Sequence, residues 1–231
     1  MIIENLKIVE ENIAASCKAS GRNRDDVVLI AVSKTKPEEM IREAYAAGIR
    51  DFGENKSKEL LTKKELLPED IRWHMIGHLQ TNKVRQLVGN AFLIHSIDSV
   101  HLADAIEYES AKKGIVTEGL IEINVAEEES KHGFPPVLDP GILEHFAAYR
   151  NLRIRGLMTV APDVEDSEQN RAVFRRLRAL SVDIAAKKID NISMEYLSMG
   201  MTGDYTVAVE EGASFVRVGT GIFGKRERME N

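Results

Sequence analysis

The fold of this chain is decided by the stretch Val27-Val28-Leu29-Ile30-Ala31-Val32-Ser33-Lys34-Thr35-Lys36-Pro37. A short run of β-branched and aliphatic residues that ends at a proline predicts a strand buried on both faces. Parallel strands of α/β folds carry functional groups at their carboxyl ends, where partial desolvation lowers the cost of a neutral, nucleophilic amine. The stretch therefore supports the hypothesis of a Schiff-base lysine at position 34. The simpler interpretation is that Lys34 and Lys36 form the solvated end of an ordinary strand.

The same unit of strand followed by helix recurs along the rest of the chain. Further strands are predicted at 49–52, 71–77, 92–97, 120–125, 154–160, 194–198 and 214–219. Helices are predicted at 2 to about 20, 37–48, 56–67, 80–88, 98–113, 143–149, 166–188 and 204–211. The helix at 2 to about 20 precedes the first strand and therefore stands outside the alternation.

Eight alternating units in 231 residues predict a single (β/α)8 TIM barrel with one extra helix at its amino-terminal end. Residues 1–26 are expected to form a helix that packs on the barrel, 27–224 the barrel itself and 225–231 a solvated, charged tail. A doubly wound open sheet is the alternative, because periodicity does not distinguish a closed sheet from one with edges.

The composition of the chain limits which partners it can bind and which cell compartment we expect for it. The formal net charge of −6 and a pI near 5.6 argue against nucleic-acid or anionic-membrane surfaces, which select clustered positive charge. The single cysteine, Cys17, excludes an internal disulfide and a thiolate metal cluster and fits a reducing compartment. No signal pattern or bilayer-length apolar run is visible, so we expect a cytoplasmic protein. A monomer fits the lack of an obvious apolar interface pattern.

Polar and glycine residues follow the predicted strands, and in a barrel all these positions face one mouth. They include Lys34, Lys36, Asn55, His74, Asp98, Asn124, Ser198, Gly200, Arg217, Gly219 and Thr220. An amine, a guanidinium and glycines with accessible amides suit a ligand that carries both a carbonyl and a phosphate. The glycine-containing segments 198–203 and 216–224 follow the last two strands, where barrels often bind phosphate.

Two other features are candidate sites. His74 and His78 are four residues apart, but Gly77 and the preceding strand pattern make a helical metal pair improbable, so no metal site is predicted. Lys131, in the loop after the fifth strand, is a weaker candidate for a side chain that reaches the mouth.

Six segments, in order along the chain, closely resemble the pyridoxal phosphate homeostasis protein family. They are 31–37, 52–55, 73–83, 155–158, 197–201 and 216–224. The resemblance implies a free-standing version of the alanine racemase barrel domain, with pyridoxal 5'-phosphate (PLP) held as a Schiff base on the first lysine of the motif, Lys34. His78 departs from the pattern, because many relatives have proline there, and this puts only the local loop geometry in doubt.

The resemblance also assigns roles to other residues. It implies that Arg217 faces the pyridine nitrogen of PLP, that Ser198, Gly219 and Thr220 lie in the phosphate loops, and that Asn55 lies close to the cofactor. Gly200 is expected to bind the cofactor as part of the seventh loop.

An arginine at the pyridine nitrogen predicts weak catalysis, because the ring is the deepest electron sink when a carboxylate keeps that nitrogen protonated. Racemisation also needs a second base, which alanine-racemase-like enzymes take from a carboxy-terminal β domain, whereas this sequence ends at Asn231. We therefore expect a protein without catalytic residues that holds PLP and delivers it to apo-enzymes. The alternatives are a small PLP-dependent amino-acid racemase completed by dimerisation, and an interaction protein that merely retains an old pocket.

Overall fold

In the computed structural model, which describes residues 1–224, eight parallel strands form one closed barrel in chain order. They are β1 (Val28–Val32), β2 (Asp51–Glu54), β3 (Arg72–Met75), β4 (Leu93–Ile97), β5 (Thr117–Glu122), β6 (Leu152–Met158), β7 (Ile192–Met201) and β8 (Phe215–Val218). The first and last strands pair from Val28 opposite Phe215 to Ala31 opposite Val218. This pairing closes the sheet, so the predicted barrel is confirmed and the open-sheet alternative is wrong.

The helices surround the barrel and connect its strands. They are α1 (Ile2–Ala19), α2 (Glu38–Ala46), α3 (Ser57–Leu66), α4 (Thr81–Leu87), α5 (Val100–Lys113), α6 (Pro140–Ala147), α7 (Arg171–Ala186), α8 (Tyr205–Glu210) and α9 (Thr220–Phe223). Short 3-10 turns at Arg24–Asp26 and Ser167–Asn170 precede β1 and α7. The helix predicted at 166–188 is therefore a 3-10 turn followed by an α-helix.

The helix α1 is the expected addition to the alternation. Its buried residues include Leu6, Val9, Ile13 and Cys17, which share one face at helical spacing. That face packs against α8 and α9, beside the last strand. Cys17 behaves as a small apolar residue, and burial raises the pKa of its thiol.

Two apolar regions make up the core. The larger lies between the strands and the surrounding helices. The smaller lies inside the barrel and consists of Ile30, Leu93, Leu120, Met158 and Phe215. The rest of the barrel interior includes buried polar side chains that belong to the site described below.

Three strands differ from their predicted bounds in ways that matter for the site. β2 begins and ends with buried acidic residues, Asp51 and Glu54, and each forms an ion pair, Asp51 with Arg72 and Glu54 with Lys63. β5 ends at Glu122, and the next residue, Ile123, forms an isolated parallel bridge with Phe134. β7 continues past Ser198 to Met201, so the seventh loop starts three residues later than predicted.

Residues 225–231, the predicted solvated tail, lie outside the described part of the chain. Among residues 1–224, no helix combines the length and apolar character that a bilayer crossing requires.

Candidate functional site

A cavity of about 570 Å³ opens at the carboxyl ends of the strands, where (β/α)8 barrels place their sites. Predicted site residues in its lining are Lys34, Asn55, Arg217, Gly219 and Thr220. The other two, Ser198 and Gly200, are not among the described residues that line it. Its volume falls within the range of about 300–1,000 Å³ that is usual for small-molecule sites.

The two lysines of the β1 loop point to different places. Lys34 lies in the cavity lining. The Nζ atom of Lys36 donates hydrogen bonds to the carbonyl oxygens of Phe223 and Gly224, each at 3.1 Å, at the end of α9. The geometry therefore favours Lys34 over Lys36 as the amine that reacts with a ligand in the cavity.

The turn that carries Lys34 is held on both sides by a network from α3. Thr35 has a φ of 63°, in the left-handed region that non-glycine residues rarely adopt, and its N–H donates to Glu59 Oε1 at 2.6 Å. Lys63 Nζ donates to the carbonyl of Ser33 at 2.8 Å and to Glu59 Oε1 at 2.6 Å. These bonds hold the backbone before and after Lys34, and so restrict where its side chain starts.

Arg217 is buried at the floor of the cavity. Its Nη1 donates to Ser198 Oγ at 2.5 Å, and its Nη2 donates to the carbonyl of Thr159 at 2.7 Å. Burial lowers the pKa of Arg217 to about 10, while the negative charges of Glu122 and Asp204 oppose this shift. The guanidinium therefore remains charged at neutral pH, and its position is fixed from below.

Below Arg217, a chain of hydrogen bonds crosses the barrel interior. Ser198 Oγ lies 2.8 Å from His95 Nδ1, His95 Nε2 lies 2.9 Å from His74 Nδ1, and His74 Nε2 lies 2.9 Å from Asp51 Oδ1. We call Ser198, His95, His74 and Asp51 the interior chain. Because Arg217 only donates and ionised Asp51 only accepts, each hydrogen has one consistent position: Ser198 donates to His95, His95 to His74, and His74 to Asp51.

The interior chain holds both histidines in the neutral state. Burial lowers the pKa of His74, against the raising effect of Asp51, and holds the pKa of His95 well below its ordinary value. Burial also disfavours the charge of Asp51, but hydrogen bonds from His74 and Arg72 outweigh it, so the pKa of Asp51 is lowered. The chain thus ends in an ion pair at the amino-terminal edge of the barrel, opposite the cavity.

Ser198 therefore sits at the top of the interior chain, and its predicted contact with phosphate is not favoured by this placement. The reason is the longer β7, which keeps Ser198 within the strand. The first hydroxyl of the seventh loop is that of Thr202, which lines the cavity. Thr202 Oγ1 lies 3.3 Å from the backbone nitrogens of Gly219 and Gly221, so two amide groups point to one place. No local signal in the sequence identifies Thr202, because the end of β7 depends on its pairing with β8.

Gly200 does not line the cavity but packs closely against α8. Its φ is 90°, and a Cβ atom there would lie 2.5 Å from Ala208 Cβ and 3.0 Å from Tyr205 Cα. The absence of a side chain therefore lets β7 approach α8 closely. The binding of a cofactor by Gly200 stays a prediction.

Asn55 lies in the cavity lining and is positioned by a close backbone approach. A Cβ atom on Gly77 would lie 2.6 Å from the carbonyl oxygen of Asn55. Only glycine fits there without moving Asn55. The backbone after β3 therefore helps to position a residue of the cavity lining. Lys131, the weaker candidate, donates instead to Glu128 Oε1 at 2.6 Å and to the carbonyl of Ala161 at 3.2 Å.

Glu122, at the end of β5, was not predicted from the sequence. Burial and the charge of Asp98 raise the pKa of Glu122 to about 7, while the charges of Arg217 and His78 act in the opposite direction. Its carboxyl group is therefore partly protonated at neutral pH, and it lies within electrostatic reach of the cavity floor.

Comparison with known proteins assigns the fold to a class. The family model for the alanine racemase N-terminal domain matches residues 5–227. An alanine racemase of Clostridium difficile 630 has the same fold, with a TM-score of 0.74 at 12% identity; the match covers 98% of this chain and 58% of that one. The protein is thus a barrel of the alanine racemase N-terminal type.

Closer relatives define the family. A pyridoxal phosphate homeostasis protein of Aquifex aeolicus is 43% identical over 97% of this chain and 98% of its own length. PipY of Synechococcus elongatus PCC7942, whose structure has PLP bound, is 34% identical with a TM-score of 0.82, over 97% of this chain and 100% of that one. The chain belongs to the pyridoxal phosphate homeostasis protein family, as the resemblance of its motifs predicted.

Proposed function

We propose that this protein binds PLP in the cavity at the barrel mouth and acts in PLP homeostasis. One observation carries the proposal: a lysine amine, a buried guanidinium and the loop residues Thr202, Gly219 and Thr220 line one cavity. These groups match the three functional parts of PLP, which are an aldehyde, a pyridine nitrogen and a phosphate. The PLP-bound structure of the relative PipY supports the same ligand.

Each group of the cavity has a distinct role in this proposal. Lys34 Nζ would form a Schiff base with the aldehyde of PLP, with the loss of one water molecule. Arg217 donates a hydrogen bond to the pyridine nitrogen, while the amides of Gly219 and Gly221 and the Thr202 hydroxyl bind phosphate oxygens. Asn55 completes the wall of the cavity.

Borohydride reduction of the PLP-loaded protein, followed by peptide mass mapping, tests this assignment. The reduced pyridoxyl group is expected on Lys34. A label mainly on Lys36 would contradict the assignment, because Lys36 is anchored on the end of α9.

We further infer that the protein holds PLP without a demanding catalytic cycle. Arg217 keeps its charge even though burial lowers its pKa to about 10, so it donates to the pyridine nitrogen and supplies no proton to it. The ring is then a poor acceptor for the electron pair of a substrate carbanion. The names of the relatives, which describe homeostasis, agree with this inference.

Solvent exchange of the α-proton separates this role from that of a racemase. The PLP-loaded protein is incubated with each common L-amino acid in deuterium oxide, and deuterium at Cα is followed by NMR. Storage of PLP predicts no sustained exchange. Continuous turnover with any amino acid would identify a racemase or a related enzyme.

Release of PLP to cytoplasmic apo-enzymes is the corresponding proposal for partners, and it rests on the reversibility of the Schiff base. An excess of a PLP-requiring apo-enzyme should gain activity from the loaded protein faster than from its spontaneous release of PLP. Equal rates would show that PLP passes only through solution. Sedimentation of the loaded protein tests whether it is a monomer.

A further inference from the structure

Two histidines and an aspartate meet at the part of the barrel mouth formed by the ends of β3, β4 and β5. His78 follows β3, Asp98 follows β4, and His132 lies in the loop after β5. One ligand atom from each, a ring nitrogen or a carboxylate oxygen, lies within 4.8 Å of the other two. We call these three residues the histidine cluster.

The cluster is organised around one carboxylate oxygen. His78 Nδ1 lies 2.7 Å and His132 Nδ1 lies 3.8 Å from Asp98 Oδ2. The two imidazole rings are stacked, with centroids 4.0 Å apart and planes 12° from parallel. The stacking places two nitrogen donors on the same side of one oxygen donor.

Exposure allows an ion to reach these donors. The side chains of His78 and His132 are 42% and 58% exposed, whereas that of Asp98 is 7% exposed. A fixed carboxylate with two accessible rings is an arrangement that can close around a cation by small ring rotations. Ligands at about 2.0–2.2 Å from one tetrahedral ion are roughly 3.4 Å apart. The 2.7 Å spacing of His78 and Asp98 must therefore widen by about 0.7 Å, and the 3.8 Å spacing of His132 and Asp98 must shorten by about 0.4 Å.

We propose that His78, Asp98 and His132 bind one divalent transition-metal ion, of the class represented by Zn²⁺. Two imidazole nitrogens and one carboxylate suit such ions, whereas Mg²⁺ and Ca²⁺ prefer oxygen ligands alone. When His78 Nδ1 binds the ion, the neutral ring carries its one hydrogen on Nε2, so the ion takes the place of the hydrogen bond between His78 Nδ1 and Asp98 Oδ2. Three protein ligands leave at least one coordination position, which a water molecule fills.

The sequence could not predict this site. His74 and His78, the pair that sequence spacing brings to mind as metal ligands, are separated by the fold. His74 is buried in the barrel interior, and His78 lies at the mouth. The partner of His78 is His132, which comes from a loop two strands later. The expectation of no metal site thus rested on local spacing, which does not report loops that meet across a barrel.

Zn²⁺ titration of the full-length, untagged protein by calorimetry tests the proposal, with Co²⁺ absorption as a second probe of ligand geometry. One ion per chain is expected. His78→Ala, His132→Ala and Asp98→Asn should each weaken binding by at least about tenfold. Both histidines are exposed, so their alanine variants should keep the urea midpoint of the original protein.

His145 offers a matched control. Its Nε2 lies 2.8 Å from Asp104 Oδ1 on the surface, as in the cluster, but no third ligand joins this pair among the described residues. His145→Ala should therefore leave Zn²⁺ affinity unchanged. Equal affinity of the cluster variants and the original protein, or fewer than about 0.1 ions per chain, would overturn the proposal. Binding should persist in Lys34→Ala, which separates this site from the PLP site.

Discussion

The cavity and the interior chain lie on opposite sides of Arg217 and differ in how their polar groups are satisfied. In the interior chain, each hydrogen bond from Ser198 to Asp51 has a protein partner on both sides. The cavity is instead a space of about 570 Å³ lined by Lys34 and by Thr202, whose hydroxyl accepts hydrogen bonds from the amides of Gly219 and Gly221. Arg217 belongs to both regions, because it donates downward to Ser198 and also lines the cavity.

This difference assigns distinct physical tasks to the two regions. A buried network with every group paired is costly to disturb, since one lost member leaves its neighbours unsatisfied. Groups that line the cavity border space that a ligand can fill, so removing one should cost binding and little stability. Variants above Arg217 should therefore change PLP binding, and variants below it should change the free energy of unfolding.

The largest expected effect is on the cavity side, at Lys34. Lys34→Ala should abolish the visible absorption of the protein loaded with PLP, because among residues 1–224 the cavity lining contains no other lysine. Its urea midpoint should stay close to that of the original protein. Lys36→Ala, the matched control, should keep the absorption band. A band retained by Lys34→Ala and lost by Lys36→Ala would reverse the assignment.

Much of the cavity side of Arg217 could be predicted from the sequence, because it depends on local patterns. The run before Lys34 fixed the first strand, and the glycines around Thr220 marked an anion loop. The helix α9 was hidden by the same glycines, because the sequence 219–224 reads as a turn. The order of strands in a closed barrel then brings Lys34 beside Arg217.

The interior chain could not be predicted from the sequence, because its members are polar residues inside strands. Asp51, His74 and His95 interrupt apolar patterns, and their burial depends on partners from neighbouring strands. Ser198 was assigned to the cavity for the same reason: the end of β7 is set by pairing with β8 and not by a local stop signal. Nonlocal pairing therefore decided which side of Arg217 each residue occupies.

The second prediction concerns the interior chain. His95→Leu leaves the Ser198 hydroxyl without its acceptor and His74 Nδ1 without its donor, inside a fully buried region. Two unsatisfied buried groups cost roughly 2–6 kcal/mol, so we expect about 4 kcal/mol less stability in urea unfolding. His101→Leu, at an exposed position of α5, serves as the histidine control. A stability loss below about 1 kcal/mol would contradict the description of the chain as satisfied throughout.

The third prediction uses pH at the boundary between the two regions. Burial raises the pKa of Glu122 to about 7, above its unfolded value of about 4.3. The folded protein therefore keeps a proton that the unfolded chain releases between these pH values, and this group lowers stability as pH rises through that window. Glu122→Gln should be about as stable as the original protein at pH 4 and up to about 3 kcal/mol more stable at pH 8. A constant difference across this range would show that Glu122 titrates normally.

The fourth prediction has the smallest expected effect and concerns the hydroxyl groups of Thr202 and Ser198. It tests where the boundary between the cavity and the interior chain lies. Thr202→Val removes the hydroxyl that lies beside the amides of Gly219 and Gly221, so PLP retention should weaken by roughly 1 kcal/mol, or about fivefold. Ser198→Ala removes the acceptor of Arg217 in the interior chain, so it should lower the free energy of unfolding by about 1–3 kcal/mol.

Dissociation of PLP, followed by absorbance after dilution, and urea unfolding of each variant separate the two outcomes. In the proposed arrangement, Thr202→Val changes mainly the first measurement and Ser198→Ala mainly the second. If Ser198→Ala releases PLP as readily as Thr202→Val without a loss of stability, Ser198 belongs to the phosphate site and the boundary lies one layer deeper in the barrel. The longer β7 makes the first result the expected one, because it holds the Ser198 side chain within the strand and starts the loop at Thr202.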